Sequence, residues 1–201
     1  LHTCAILDNG DVSCWGEGFD GQLGNGGTSS QTSPTLTSSL GTGRTAALSE
    51  RDFNNDGTFN IFQAHYKLNY RESALSSGYK HTCAILDNGD VSCWGDGSDG
   101  QLGDGTASDQ TTPTLTSSLG TGRTAVALSS GFEHTCAILD NGDVSCWGDG
   151  SDGQLGNGGI SQQNSPTLTS SLGTGRTAVA LSSGGLHTCA ILDNGDVSCW
   201  G

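Results

Sequence analysis

Eight cysteines form four pairs, and nine residues separate the two members of each pair. The same fifteen residues, HTCAILDNGDVSCWG, surround every pair and begin at His2, His81, His134 and His187. Paired thiols either oxidise to disulfides or bind zinc, but zinc sites usually take ligands at C-x2–4-C spacing, with two such pairs on one ion. The wider spacing therefore favours disulfides over zinc. The predicted bridges are Cys4–Cys14, Cys83–Cys93, Cys136–Cys146 and Cys189–Cys199.

An apolar run, a turn signal and a second β-prone run predict a hairpin around each pair. If residues 8–10 form a three-residue loop with Gly10 in the left-handed conformation, Cys4 lies opposite Cys14 on a non-hydrogen-bonded rung, where side chains come closest. A two-residue turn would instead place Cys4 opposite Trp15 and leave the sulfurs diagonal. The spacing predicts the longer loop, and disulfides in turn indicate an oxidising compartment and hence export.

A second set of candidate ligands lies in a segment that interrupts the repeats, DFNNDGTFNIFQ at 52–63. Its oxygen-bearing residues follow the D-x-[DN]-x-[DN]-G pattern of an EF-hand loop, with Gly57 at the sharp turn, and the segment also resembles one dockerin repeat. The twelfth position offers the uncharged amide of Gln63 where a bidentate acid is expected. The segment therefore predicts weak calcium binding, with an Asx-rich surface loop as the alternative. The candidate ligands are Asp52, Asn54, Asp56, Thr58, Asn60 and Gln63.

His134, Ser145 and Asp140 are residue types of a hydrolytic triad, but they recur in every repeat. A catalytic constellation is one asymmetric cluster, whereas residues repeated in each unit are typical of a scaffold. The sequence therefore predicts structural roles for the recurring His and Thr, and no enzymatic activity. The recurring tryptophans are predicted to be core residues whose N–H groups find partners: Trp15, Trp94, Trp147 and Trp200.

The elements that must position these residues repeat with a period of 53, the distance from His81 to His134. His2 and His81 are 79 positions apart, so one repeat carries an insertion, at 47–73, which includes a helix-compatible stretch. A fixed period of this size is typical of solenoids and propellers. Each unit holds four strand-like pieces, which fits a propeller blade. In one unit these are Ala125–Leu128, Thr135–Leu139, Val144–Trp147 and a weaker piece near Pro166–Thr169.

Composition limits the classes of function. Hydrophobic residues make up 32% of the chain and charged residues 14%, beside 33 glycines, and the recurring β-branched and aromatic segments favour a turn-rich all-β fold over disorder. A net charge of −14 argues against nucleic acid, which needs clustered Lys and Arg. No apolar run reaches the ~18–20 residues of a membrane span. The chain begins and ends inside a copy of the phrase, so we expect it to be a piece of a longer protein.

The stretch HTCAILDNGDVSCWGDGSDGQLGDGT resembles the repeat of the regulator of chromosome condensation (RCC1) family, with its G-x-x-HT, DG, V-x-x-WG and GQLG pattern. The resemblance covers nearly the whole chain outside the insertion. It implies a β-propeller, commonly of seven blades, of which this chain would supply about three four-stranded blades plus a hairpin. The matching positions in one unit are Gly78, His81, Thr82, Gly89, Trp94, Gly95, Gly100, Gln101, Leu102 and Gly103.

Activities in this family include guanine-nucleotide exchange on a small GTPase, chromatin binding, light sensing and, in secreted bacterial members, inhibition of other proteins. The fold alone therefore does not identify the function of this chain. Two features depart from the nuclear members, because the chain is acidic without a basic tail and its paired cysteines resemble exported microbial members. The resemblance thus disfavours chromatin and GTPase roles.

Near-identical copies act as an internal control, because a residue that is the same in all copies is explained by the blade itself. Loops on a propeller face are where binding residues usually sit. Positions that differ in these loops therefore predict a partner surface, with neutral drift as the alternative. They are Phe19, Tyr79, Lys80, Phe132, Glu133 and Leu186.

These features predict a non-enzymatic, exported or cell-surface propeller scaffold that recognises a protein or a glycan. The remaining blades of the same chain are further expected partners, and calcium is the one candidate cofactor. The alternatives are a purely structural or calcium-tuned surface module and, more weakly, a regulator of the guanine-nucleotide exchange type.

Overall fold

The computed structural model describes residues 1–7, 9–46 and 74–201. In these ranges the regular structure consists of fourteen β-strands in four antiparallel sheets. The predicted all-β fold is confirmed. Within the same ranges no helix has the length and apolar character needed to cross a membrane.

The four sheets follow one another along the chain. The first sheet contains β1 (His2–Ile6), β2 (Val12–Gly16) and β3 (Gln31–Leu36). The second contains β4 (Leu75–Ser77), β5 (His81–Ile85), β6 (Val91–Gly95) and β7 (Gln110–Leu115). The third contains β8 (Ala125–Ser130), β9 (His134–Leu139), β10 (Val144–Gly148) and β11 (Gln163–Leu168). The fourth contains β12 (Ala178–Ser183), β13 (Thr188–Leu192) and β14 (Val197–Trp200).

The grouping of these strands differs from the expected three blades and a hairpin. The described residues form two four-stranded sheets between two three-stranded ones. The last hairpin is part of a three-stranded sheet because β12 pairs with β13, as β8 pairs with β9 in the third sheet, and the first sheet also has three strands. The outer strand β11 begins at Gln163, ahead of the predicted piece, and contains Pro166. Proline is tolerated there because this strand is a sheet edge, where one row of N–H groups is not needed for pairing.

Each hairpin has the register predicted from the cysteine spacing. In the first, Cys4 lies opposite Cys14, the Leu7 N–H donates to the Asp11 carbonyl at 2.8 Å, and Gly10 has a φ of 80°. The other three hairpins pair their cysteines in the same way. The left-handed glycine and the closing hydrogen bond thus fix which residues face each other.

A β-bulge marks the point where the insertion enters the repeat. In the third sheet the register of β8 shifts between Ala125 and Ala127, which leaves Val126 as an extra residue. In the second sheet Ala46 forms the bridge that Ala125 forms in the third. The inserted segment 47–73 therefore follows directly on the residue that precedes the bulge, a position where the ladder is already interrupted.

Neighbouring sheets pack through buried apolar side chains and through their first strands. The Ser130 N–H of β8 donates to the Ser76 hydroxyl of β4 at 2.9 Å, and β12 repeats this bond to β8. In the third sheet Ile138 is 3% exposed because the fourth sheet covers it, whereas its counterpart Ile191 in the fourth sheet is 45% exposed. Each sheet thus depends on the following one to bury its apolar face.

Candidate functional site

The recurring His, Thr and Trp residues form a latch between successive sheets. His81 Nε2 lies 2.8 Å from the Thr135 hydroxyl in the next sheet. The same hydroxyl donates to the Gln101 carbonyl at 3.0 Å, and the Trp147 indole N–H donates to that carbonyl at 2.9 Å. Equivalent contacts join the first sheet to the second and the third to the fourth. The predicted structural roles of His and Thr follow from this geometry, as does the predicted partner of the indole in Trp94, Trp147 and Trp200.

The latch fixes the protonation state of its histidines. Because the Thr135 proton is directed at Gln101, His81 Nε2 must donate to Thr135 and the ring must carry its proton there. Burial lowers the pKa of His81 to about 3, and the charges of neighbouring histidines act in the same direction. Burial also lowers the pKa of His134 to about 4. Both rings are therefore neutral near pH 7, as an unpaired imidazolium would be costly in this environment.

The residue types of a hydrolytic triad are not assembled. His134 begins strand β9 and bonds to Thr188, while Asp140 follows the far end of the same strand and pairs with Arg123 at 3.2 Å. Ser145 is buried within the neighbouring strand. These three side chains therefore do not meet, and their recurrence reflects the blade.

All eight cysteines lie in pairs at disulfide distance, with S–S separations of 2.06 to 2.14 Å. In the part of the chain that the structure describes, no three His, Cys, Asp or Glu side chains are grouped so as to hold a metal ion. The candidate calcium ligands between Asp52 and Gln63 lie outside the described residues. Calcium therefore remains a prediction from the sequence.

The loops between the first and second strands of the sheets bring aromatic residues together. The rings of Tyr79 and Phe132, on adjacent sheets, stack with centroids 4.2 Å apart and planes 18° from parallel. On the side of the following sheet, the Phe132 N–H donates to the Gly185 carbonyl at 3.4 Å. Gly185 occupies the repeat position of the two aromatics and directly precedes Leu186. The three loops therefore form one continuous line.

The line continues toward the first sheet through an ion pair. Lys80 Nζ lies 3.5 Å from the Asp20 carboxylate and 5.9 Å from the centre of the Tyr79 ring. Phe19 immediately precedes Asp20 and is 70% exposed. Six residues that differ between repeats thus lie along one face, and we call them the variable rim: Phe19, Tyr79, Lys80, Phe132, Glu133 and Leu186.

Glu133 has an unusual environment for a surface carboxylate. Its pKa is raised, first because partial burial disfavours the charged form and then because the carboxylates of Asp99 and Asp149 lie near it. The sequence did not single out these aspartates, because they recur in each repeat and are explained there by turn geometry. The two aspartates belong to the surface of the variable rim because they lie beside Glu133, a residue that varies between the repeats.

Antiparallel sheets that repeat along the chain, bury their faces against one another and join first strand to first strand define a β-propeller repeat protein. The chain belongs to the RCC1 family: two models, both described as "Regulator of chromosome condensation (RCC1) repeat", match more than half of it. One matches residues 1–22, 73–101 and 125–154, and the other matches residues 88–138 and 141–191.

Known relatives and solved structures agree with this assignment. The chain is 31% identical over 202 residues to Ultraviolet-B receptor UVR8 of Arabidopsis thaliana, covering all of this chain and 39% of the relative. It is 30% identical over 201 residues to E3 ubiquitin-protein ligase HERC2 of Homo sapiens, of which it covers 4%. The structure of yeast RCC1 (Prp20) bound to Kap60 superposes with a TM-score of 0.72 at 20% identity, over all of this chain and 41% of the other. The chain therefore spans less than half the length of these proteins.

Proposed function

We propose that this protein is a non-enzymatic scaffold, exported or displayed at the cell surface, that recognises a protein or a surface glycan through the variable rim. One observation carries the proposal: six residues that vary between the repeats, which range from Phe19 to Leu186 in the sequence, lie in one line on one face. The blade itself does not require these side chains, because the fourth sheet has Gly185 where the second and third sheets have Tyr79 and Phe132. Exposed aromatic side chains that the fold does not need suit contact with a partner.

The chemistry of the rim suits recognition. Tyr79 is 39% exposed, Phe132 45% and Leu186 52%, and all three project from loops held by buried latches. Aromatic side chains on a rigid support supply large contact areas with little loss of conformational entropy on binding. Rigid loops on a repeat scaffold are also where binding residues usually lie.

The paired cysteines support export. Disulfides form and persist in oxidising compartments and are rare in the cytosol. Four such pairs, one in each hairpin, are more than a redox sensor needs. One relative of known structure supports recognition of a protein, since yeast RCC1 was solved with Kap60 bound.

A further partner is the rest of the propeller. The exposed Ile191 and Val197 of the fourth sheet correspond to Ile138 and Val144, which are buried in the third. We propose that another copy of the repeat covers them in the complete protein, because the same packing recurs at each junction between the described sheets.

The test is an affinity capture from the native medium or cell envelope with the full-length protein as bait. A second bait carries Ser at all six rim positions. A third carries Leu36→Ser, Leu115→Ser and Leu168→Ser, which removes exposed leucines of strands β3, β7 and β11 outside the rim. Equal thermal unfolding midpoints and near-UV circular dichroism establish that all three baits fold alike.

We expect a partner that the unchanged bait and the leucine variant both retain and that the rim variant loses. Identification of the partner by mass spectrometry or by glycan array decides between protein and sugar. Retention of the same partner by all three baits would overturn the recognition role of the rim. Capture of nothing by any bait under native salt would favour the purely structural alternative.

A further inference from the structure

An open groove of about 240 Å³ lies where strands β4, β8 and β12 end. Each of these strands contributes the same three positions to the lining: its last serine, the glycine that follows and the residue after that glycine. Among the described residues that line the groove none is charged, although the chain has a net charge of −14. A charged ligand would lose water there without gaining a partner of opposite charge, so the lining favours a neutral ligand. The three serines are Ser77, Ser130 and Ser183.

The residues after the glycines form a stack of rings that stops at the fourth sheet. Tyr79 and Phe132 stack with ring centroids 4.2 Å apart, so a ring at this repeat position covers its neighbour in the adjacent sheet. The fourth sheet has Gly185 at the same position and contributes no ring. A Cβ atom at Gly185 would lie 3.8 Å from the Phe132 ring, at ordinary contact distance. A flat group beside Gly185 would therefore continue the stack from Phe132.

One hydroxyl of the groove lining has no partner. The Oγ atom of Ser130 is buried and makes no hydrogen bond to any described residue. Its repeat counterpart Ser183 donates to the Ser129 carbonyl at 3.2 Å. Buried polar groups in native proteins are nearly always hydrogen-bonded, so an unpaired hydroxyl in the wall of a groove indicates a bound molecule that supplies the bond. Because Ser130 lines the groove, a change between staggered rotamers brings its hydroxyl within reach of such a molecule.

We propose that this groove binds a neutral sugar of the β-gluco configuration, with one face of the pyranose ring against Phe132 beside Gly185 and its hydroxyl groups directed at Ser130 and Ser183. The inference rests on the proposed function and names the class of ligand. All ring substituents of such a sugar are equatorial, so its faces present C–H groups and its edge presents hydroxyls. Polarised C–H groups are attracted to the negative face of an aromatic ring, and hydroxyls both donate and accept hydrogen bonds.

An aromatic side chain of a partner protein is the competing occupant. It would continue the stack on Phe132, but it would leave the Ser130 hydroxyl buried without a hydrogen bond, which is unfavourable. A pyranose has hydroxyls around its whole edge and can satisfy the ring and the serine together. The groove is also open, so one unit of a longer glycan can enter it while the neighbouring units extend into solvent. The lining therefore favours a sugar over an aromatic side chain.

The experiment titrates the full-length protein with cellotetraose, a neutral chain of β-glucose units, and follows binding by NMR. Mannitol tests hydroxyl groups without a ring, and N-acetyltyrosinamide tests an aromatic side chain. Gly185→Phe installs the aromatic residue of the third sheet in the fourth, and so places a ring of the protein where the sugar is proposed to bind. Gly159→Phe is the matched control, because Gly159 is exposed, does not line the groove and, like Gly185, has no positive φ.

We expect cellotetraose to bind the unchanged protein at least tenfold more tightly than mannitol or N-acetyltyrosinamide, since only the sugar offers both a C–H face and a hydroxyl edge. Gly185→Phe and Phe132→Leu should each weaken cellotetraose binding at least tenfold, Ser130→Ala about threefold, and Gly159→Phe less than twofold. Saturation of the aromatic protons of the protein should transfer most strongly to the axial protons on one face of a glucose unit. Unchanged thermal midpoints of the variants exclude loss of folding as the cause.

Absence of cellotetraose binding up to its solubility limit would overturn the inference, as would equal weakening by Gly185→Phe and Gly159→Phe. Tighter binding of N-acetyltyrosinamide than of cellotetraose would also overturn it and would identify a pocket for an aromatic side chain of a protein partner. The proposed function fails separately. If cellotetraose does not bind while the six-position rim variant still loses its captured partner, the rim is a recognition surface and the sugar site is wrong. If every bait captures the same partner while Gly185→Phe abolishes sugar binding, the sugar site stands and that partner binds elsewhere.

Discussion

Gly103 lies directly against the indole of Trp147 in the next sheet, and a Cβ atom at Gly103 would come within 2.7 Å of the indole Nε1. Gly24 and Gly156 have the same relationship to Trp94 and Trp200. The backbone at Gly103 also has a φ of 68°, which L-residues with side chains rarely adopt. The last glycine of the GQLG motif is therefore required twice, by conformation and by the close approach of the tryptophan.

Gly103→Ala should destabilise the fold more than Gly122→Ala. Both glycines have a φ of 68°, but a Cβ at Gly122 meets no atom within 4 Å. Both variants therefore incur the strain of a left-handed alanine, and only Gly103→Ala also forces Trp147 to move. We expect Gly103→Ala to lower the free energy of unfolding by about 2 kcal/mol more than the control. Urea unfolding followed by tryptophan fluorescence measures the difference, and equal losses would contradict the packing argument.

Stability should fall in mild acid because of the latch histidines. The folded state holds His81 neutral, since burial lowers its pKa to about 3, whereas the unfolded chain takes up a proton near the ordinary value of 6.5. The stabilisation from this group is therefore complete above about pH 6.5 and is lost as the pH falls toward 3. The loss amounts to a few kcal/mol, at about 1.4 kcal/mol per pKa unit.

His81→Gln separates this effect from the protonation of carboxylates. The glutamine amide keeps an N–H donor for Thr135 but does not titrate. We expect its unfolding free energy to depend less steeply on pH between 6.5 and 4 than that of the unchanged protein. The imidazole nitrogens of His81 should show the Nε2-protonated neutral form in NMR spectra across that range. Titration of His81 near pH 6.5 would be incompatible with the buried latch.

Oxidised protein should contain four disulfides, each within one hairpin. The intact mass should rise on reduction by one hydrogen for each cysteine, and peptide mapping should place each bond between cysteines of the same repeat. The double change Cys136→Ser and Cys146→Ser should lower the free energy of unfolding by about 3 kcal/mol, from the lost restriction of a short loop in the unfolded chain. Eight free thiols after native purification, or zinc that co-purifies with the protein, would refute the pairing.

Calcium binding by segment 52–63 is open to direct titration. A loop with Gln63 at its twelfth position should bind only weakly, with a dissociation constant of about 10⁻⁴–10⁻³ M. The double change Asp52→Ala and Asp56→Ala should abolish the heat of binding. No heat from the unchanged protein would identify the segment as a loop without a calcium role.

The hairpin register followed from the sequence because a left-handed glycine and two cysteines leave few arrangements. Cys4 and Cys14 face each other only if the loop has three residues. The pairing of Ala125–Leu128 with the hairpin that follows it was predicted, and β12 pairs with β13 in the same way, so the last sheet has three strands where a hairpin alone was expected.

The candidate site was predicted only in part. Comparison of the repeats identified the six rim positions, but it did not predict that Tyr79 stacks on Phe132, because that contact depends on the angle between neighbouring sheets. The latch was likewise predicted only in part. Recurrence indicated that His81 and Thr135 are structural, while their pairing across the junction between sheets becomes visible only in three dimensions.

The most direct test of the recognition surface is the dissociation constant of the captured partner for two single variants of the full-length protein. Phe132→Ser removes a rim side chain that is 45% exposed, and Leu168→Ser removes one that is 53% exposed outside the rim. We predict at least tenfold weaker binding for Phe132→Ser and less than a twofold change for Leu168→Ser. Equal dissociation constants for the two variants would contradict the assignment of the rim as the binding surface.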